Sequence, residues 1–298
     1  MSIDLAITIH GLTKSYGRVL ALRGLDLEVQ RGEIFGFLGP NGAGKTTTIR
    51  CLLDMIRPDS GTLRVLGFDP QADPVAVHAR AGYLPGELAL EDNLNAEQQL
   101  RYFAALRGNR LDWEYVRRLA ARLELDLKRP IKNLSKGNKQ KVGVVQALMH
   151  QPELLLLDEP TAGLDPLLQQ ETLRLVQEAR QQGATIFFSS HILSEVQEIA
   201  DRVGIIRQGA LVEVAETQTL VHRALRRVRL RLREPLATAA LAAIPGVTIL
   251  SASDGVSLVL QVEGEMDALI KAVAQFPVVE FETERPSLEE VFLAYYAA

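Results

Sequence analysis

The sequence predicts an α/β domain followed by a smaller α+β domain, on three observations. Short apolar runs, Glu33 to Leu38, Leu154 to Leu157 and Ala184 to Phe188, have the length and composition of buried strands. Stretches between them carry apolar residues at helical spacing. Near Arg223 the chain changes character, to strands with one basic and one apolar face. At 298 residues there is room for a large domain, 1–222, and a small one, 223–298.

The run Glu33 to Leu38 reads as a strand, and Thr46 to Met55 as a helix with apolar Ile49, Leu52 and Leu53. Their connection, Gly39-Pro40-Asn41-Gly42-Ala43-Gly44-Lys45-Thr46, fits G-x-x-x-x-G-K-[ST] and leads on through Thr47. A strand, a glycine loop and a helix N-terminus together aim amide hydrogens and the positive dipole end at an anion. That points to the phosphates of ATP or GTP; the alternative is a glycine turn that merely joins strand to helix.

An insert over about 87–150 is mainly helical. Asn95 with Gln98 forms a capping box that opens a helix through about Leu106. Asp112 caps a second helix, with Tyr115, Val116, Leu119, Ala120 and Leu123 on one face. Ser135 reads as the N-cap of a third, from about Lys139 to Met149. The apolar run Leu154 to Leu157 then ends in Asp158 and Glu159. An acid pair at a strand tip beside a phosphate loop suits Mg²⁺ held through water by one acid and an attacking water oriented by the other.

In the last third, Arg227, Arg229, Arg231 and Arg233 alternate with Val228, Leu230 and Leu232, the period of a strand. A helix (about Leu236 to Ala243), strands near 247–250 and 256–262, a helix from Glu265 to about Gln275 and a strand near 278–282 follow. The order β-α-β-β-α-β is the ferredoxin-like pattern. The arginine face reads as solvated, with Glu280, Glu282 and Glu284 across the same sheet, the alternative being a surface for RNA or phospholipid head groups. A terminal helix, Ser287 to Tyr296, starts after Pro286 with Ser287 as cap.

Composition narrows the classes. A net charge of −4 gives no bulk attraction to nucleic acid or anionic lipid. The single cysteine, Cys51, excludes a disulfide framework within one chain, which suits a reducing compartment. The start Met1-Ser2-Ile3-Asp4 lacks the regions of a signal peptide. No stretch reaches the ~18 uninterrupted apolar residues that crossing a bilayer takes. No Asn-Lys-x-Asp segment reads guanine, no second phosphate loop is present, and no heptads are sustained.

Leu134-Ser135-Lys136-Gly137-Asn138, upstream of the acid pair, resembles the signature of the ATP-binding-cassette (ABC) ATPases, whose common form is Leu-Ser-Gly-Gly-Gln; Lys136 and Asn138 depart from it. The resemblance covers roughly the first 220 residues, with motifs in the family's order. It implies a P-loop NTPase cassette, a mixed sheet with a helical subdomain, binding ATP with Mg²⁺. Tyr16, in Thr13-Lys14-Ser15-Tyr16-Gly17, would stack on adenine. Lys45 would neutralise phosphate oxygens within a cradle of amides running from Asn41 to Thr47. Thr46 and Asp158 would serve the metal, Glu159 would polarise the attacking water, and His191, after Ser189-Ser190, would grip the γ-phosphate. Ser135 and Gly137 would face the nucleotide of a second cassette, which Ala162-Gly163-Leu164-Asp165 also contacts. After Gly82-Tyr83-Leu84-Pro85 the family carries a Gln that reaches the metal. Here Gly86 stands in its place, so either Glu87 substitutes or the loop only couples motion.

In ABC ATPases the helical subdomain receives a short helix of a separate membrane permease, which places the transmission surface near 86–103 and the protein on the inner face of the membrane. Ser287-Leu288-Glu289-Glu290-Val291-Phe292 resembles the accessory domain of ABC-2 type exporter ATPases. The resemblance thus implies the ATPase subunit of a bacterial exporter, paired with a second ATPase subunit, a homodimer being the expected form, and no nucleic acid. The alternative is a soluble ABC-type ATPase acting on nucleic acid or ribosomes.

Overall fold

The computed structural model describes residues 4–108, 111–219, 226–235, 239–262 and 265–284. The chain divides into two compact units, 1–215 and 216–298.

The first unit starts with two long strands, β1 (Leu5–Tyr16) and β2 (Val19–Gln30), then β3 (Ile34–Leu38), α1 (Lys45–Leu52), β4 (Ser60–Val65), α2 (Pro74–Arg80) and β5 (Ala81–Leu84). The insert contributes α3 (Ala96–Leu106), α4 (Trp113–Arg122) and α5 (Lys136–Leu148). There follow β6 (Leu154–Asp158), α6 (Pro166–Gln181), β7 (Thr185–Ser190), α7 (Leu193–Ile199), β8 (Arg202–Arg207) and β9 (Ala210–Glu216).

Apolar runs become the centre. In the six-stranded sheet, ordered β5-β6-β7-β3-β8-β9, strands β3, β6 and β7 are buried at every position. Burial on both faces is what parallel strands between helices require, and β5, β6, β7, β3 and β8 pair in parallel. Phe187 stacks on Phe35 with centroids 5.8 Å apart and meets Phe37 at 5.2 Å; burying one such ring contributes about 1.5–3 kcal/mol. The antiparallel sheet β2-β1-β4 lies in the same core, through Ile7, Ile9, Leu25 and Val29.

Helix ends follow their caps. Asn95 Oδ1 accepts from the Gln98 amide at 2.8 Å and Gln98 Oε1 from the Asn95 amide at 2.9 Å, the expected capping box. Asp112 accepts from the amides of Glu114 and Tyr115. Two boundaries differ from the periodic pattern. α1 ends at Leu52, short of Met55, because Asp54 takes a left-handed φ of 49°. α5 starts at Lys136, ahead of Lys139: Ser135 Oγ accepts from the Asn138 amide, so the polar first turn is already helical.

The insert is tied to the rest of the unit by charged groups. Arg122 of α4 donates to Glu171 at 2.5 Å and to Glu178 at 2.5 and 2.8 Å, both on α6, and holds the Glu178 carboxyl below its usual value. Arg107 donates to the carbonyl of Ala81 at 3.0 Å. His150 does the same from Nε2 at 3.2 Å, since a carbonyl can only accept.

In the second unit, β10 (Arg226–Leu232), α8 (Ala239–Ala242), β11 (Val247–Ser253), β12 (Ser257–Val262), α9 (Asp267–Val273) and β13 (Val278–Glu284) follow the expected β-α-β-β-α-β order. The sheet runs β11-β12-β10-β13 with every neighbour antiparallel. Val228, Leu230, Leu258 and Leu260 pack with Leu241, Leu269 and Val273. The opposite side places Arg229 across from Glu282 and Arg231 across from Glu280, the pairing expected of a solvated face. The predicted helix Ser287 to Tyr296 lies outside the described residues.

Burial, helped by the nearby Arg107, pushes His150 from 6.5 down to about 4. The unfolded chain therefore binds a proton there first, so stability present above about pH 6.5 is lost as pH falls toward 4. Thermal midpoints measured across that window are expected to drop less steeply in His150→Gln than in the parent.

Candidate nucleotide site

Parallel register assembles the site. Leu38 at the end of β3 pairs with Ser190, and Asp158 at the end of β6 pairs with Ser189. The glycine loop, the acid pair and His191 therefore leave the sheet along one edge, the carboxyl edge where ligands of such sheets bind.

The loop turns into α1 at Gly44, whose φ is 115° and where a Cβ would lie 2.8 Å from the Ala21 carbonyl. Only glycine fits both demands. Gly44 brings no side-chain cap, so the first amides of α1 are left for an anion. Lys45 is buried and donates to the carbonyls of Gly39 (2.6 Å) and Pro40 (3.2 Å), with Glu159 Oε1 at 3.7 Å. Burial lowers its ammonium pKa, and Glu159 and Asp158 oppose that shift. A cavity of about 400 Å³ is lined by Tyr16, by Pro40, Asn41, Gly42, Gly44, Lys45, Thr46 and Thr47, and by Glu159. Gly39 gives its carbonyl to Lys45, and Ala43 is buried beneath the loop.

Asp158 is 2% exposed; it accepts from Thr46 Oγ1 at 2.6 Å and from Ser189 Oγ at 2.5 Å. No group of three or more metal-ligating side chains occurs among the described residues. The donors present, one hydroxyl and one carboxylate, fit magnesium, which takes one or two protein oxygens and shares the rest with phosphate and water. Gly86 is the neighbour of this carboxylate, since a Cβ there would sit 3.1 Å from Asp158 Oδ2. Glu87 is exposed and does not line the cavity.

Glu159 takes a left-handed φ of 50°, a conformation costing about 1–2 kcal/mol without glycine. Several bonds hold it. Its amide donates to Ser189 O and Ser189 Oγ, both at 3.2 Å. Gln140 of α5 donates to the carbonyls of Glu159 and Pro160, both at 3.1 Å. The Glu159 carboxylate accepts from His191 Nδ1 at 3.1 Å, leaving Nε2 for a ligand.

Ser135 and Gly137 lie outside this cavity. Ser135 is exposed, and Gly137 packs on the turn before α6, where a Cβ would meet the Gly163 carbonyl at 2.5 Å. Sequence reasoning did not single out Ser189 or Gln140. Ser189 stood in the quoted segment before His191. Gln140 carries no sequence signal, because its role lies in bonds to carbonyls 19 and 20 residues away in the chain.

A parallel sheet that offers a phosphate-type loop and an acid pair along one edge defines a P-loop nucleoside triphosphatase. Comparison with known proteins narrows this. The ABC transporter profile matches residues 22–162, and that of the "ATP-binding protein DrrA1-3-like, C-terminal domain" matches 219–296. The chain is 35% identical to the daunorubicin resistance ATP-binding protein DrrA3 of Streptomyces coeruleorubidus, over 97% of this chain and 95% of that one. It is 42% identical to the bacitracin transport ATP-binding protein BcrA of Bacillus licheniformis, over 68% and 67%. The chain belongs to the ABC transporter ATP-binding proteins and is an ATP-hydrolysing subunit of that family. A solved ATP-binding subunit of an ABC transporter superposes with a TM-score of 0.66 at 30% identity, covering 72% of this chain and 91% of that one. A dimeric cassette with ADP and phosphate, at 20% identity and TM-score 0.65 over 71% and 98%, shares the fold.

Gly137→Ala forces a methyl against the Gly163 carbonyl, an overpacking that costs about 1–3 kcal/mol. Turnover is expected to fall more than nucleotide binding by the single subunit, as read by fluorescent-nucleotide titration beside phosphate release; equal losses would contradict this.

Proposed function

We propose that two copies of the chain sandwich MgATP and that hydrolysis drives a separate membrane permease exporting a drug- or antibiotic-type compound. The observation that carries this reading is a division of labour: Lys45, Thr46 and Glu159 share one cavity with Asp158 and His191 bonded at its edge, while Ser135 and Gly137 stay outside it. A second subunit would bring its own Ser135 and Gly137 to close the cavity. The export class follows the relatives named for daunorubicin resistance and bacitracin transport. Among the described residues no helix is long and apolar enough to cross a membrane. The kinship with transporter ATP-binding subunits supports assigning the membrane part to another chain and this one to its cytoplasmic face.

Phosphoryl transfer asks little covalent work of a protein, so the residues act by position and charge. Tyr16 would stack on the base. Lys45 would exchange its two loop carbonyls for β- and γ-phosphate oxygens, and the amides from Asn41 to Thr47 would complete the cradle. Thr46 and Asp158 would hold magnesium, which neutralises phosphate charge when bound. Glu159 would orient the attacking water, and His191 would steady the γ-phosphate while holding Glu159 in place. Glu87, directly after the glycine beside Asp158, is assigned to the metal side in place of the family's Gln.

Glu159→Gln is expected to keep ATP affinity, slow turnover at least about a hundredfold and accumulate an ATP-bound dimer on size-exclusion chromatography; parental turnover would remove Glu159 from its role. Glu87→Ala is expected to raise the Mg²⁺ concentration for half-maximal hydrolysis, by about tenfold, and an unchanged titration would take Glu87 out of the site. Affinity capture from solubilised membranes tests the partner, a multi-span protein supporting the permease.

A further inference from the structure

Glu195 is a buried carboxylate that no step above uses. It lies in the first turn of α7, 6% exposed, and each oxygen takes one hydroxyl. Thr161 Oγ1 donates to Oε1, and Ser190 Oγ donates to Oε2 at 2.7 Å. Thr161 belongs to the turn that begins at Glu159, and Ser190 immediately precedes His191. Both hydroxyls are buried, Thr161 at 2% and Ser190 at 1% exposure. Ser190 Oγ also receives the Ile192 amide at 2.9 Å, which fixes the backbone on the far side of His191.

The two segments joined by Glu195 are those that carry the Glu159–His191 pair. Glu159 sits in the left-handed region, a state that persists only when its surroundings over-determine it. Gln140 holds Glu159 and Pro160, and Ser189 joins the Glu159 amide to the end of β7, but neither reaches past Pro160 into the turn or past Ser189 toward His191. Glu195 does, tying Thr161 to Ser190. Full desolvation of a carboxylate is tolerated only where its lone pairs are met, and both oxygens here are met. Both carboxylate oxygens are spent on these two hydroxyls, which is a geometric role.

The geometry points to Glu195 as a positioning residue that, through Thr161 and Ser190, sets the distance and orientation between Glu159 and His191. The inference rests on Glu159 orienting the attacking water. Misplacing a reacting group by about 1 Å costs on the order of a hundredfold in rate, whereas ATP affinity resides in the loop and does not pass through Glu195.

Glu195→Gln keeps the side chain's volume and removes one acceptor oxygen. It is expected to hold ATP affinity within about twofold and to lower kcat at least about tenfold. Thr161→Val, which removes one hydroxyl at equal volume, is expected to lose as much, and the double variant no more than either alone. Thr161→Ser retains the hydroxyl and is expected to stay within about twofold of the parent. Placed in Glu159→Gln, Glu195→Gln is expected to leave the residual rate unchanged, because its effect passes through Glu159. Parental kcat in Glu195→Gln, additive losses in the double variant, or ATP affinity falling in step with kcat would each overturn the assignment. Should Glu195→Gln fail to fold, the Thr161→Val and Thr161→Ser pair decides it. Parental turnover in Glu159→Gln itself would instead overturn the role of Glu159.

Discussion

Parallel pairing of β3, β7 and β6 holds the ends of three strands in step, with Leu38 beside Ser190 and Ser189 beside Asp158. The glycine loop, Glu159 and His191 leave the sheet within a residue of those pairs, and Asp158 belongs to one of them. A slip of one residue in β7 would turn Ser189 away from Asp158 and move His191 off Glu159, because strand side chains alternate faces. The register is in turn fixed by burial on both sides, through the stacked rings of Phe35 and Phe187 and the apolar run of β6. Packing of the core and alignment of the site are thus one constraint.

The site also stores charge at short range. Lys45 and Asp158 are both nearly fully buried, and each is satisfied by the protein's own groups: carbonyls for the cation, hydroxyls for the anion. An isolated buried charge would cost several kcal/mol. Here the partners are ones that a phosphate or a cation can replace without leaving an orphan. That exchange is cheaper than building the pairs from a solvated surface, since the donors and acceptors are already aimed.

Much of this was legible in the sequence because it depends on local rules. The glycine loop is a turn requirement, the capping box at Asn95 and the N-cap at Asp112 are read from neighbouring residues, and the alternating arginines of β10 announce a strand whose apolar face is its core. What escaped was set by tertiary contact. The three-stranded sheet of β2-β1-β4 completes the core at long sequence separation. Ser189, Gln140 and Glu195 are common polar residues whose significance lies in what they touch across the fold. The left-handed φ of Glu159 has no sequence mark, as glutamate carries no preference for that region. The departure at Gly86 was visible in the sequence, and its closeness to Asp158 was not.

In the C-terminal sheet β13 lies at one end, and its Glu280 and Glu282 stand opposite arginines of β10. A strand at a sheet margin offers unpaired amides and carbonyls to any extended segment that drifts past. Carboxylates at alternate positions discourage a second such strand from docking there, since its approach would crowd like charges. Two copies of this small domain are thus kept from zipping together into a continuous sheet.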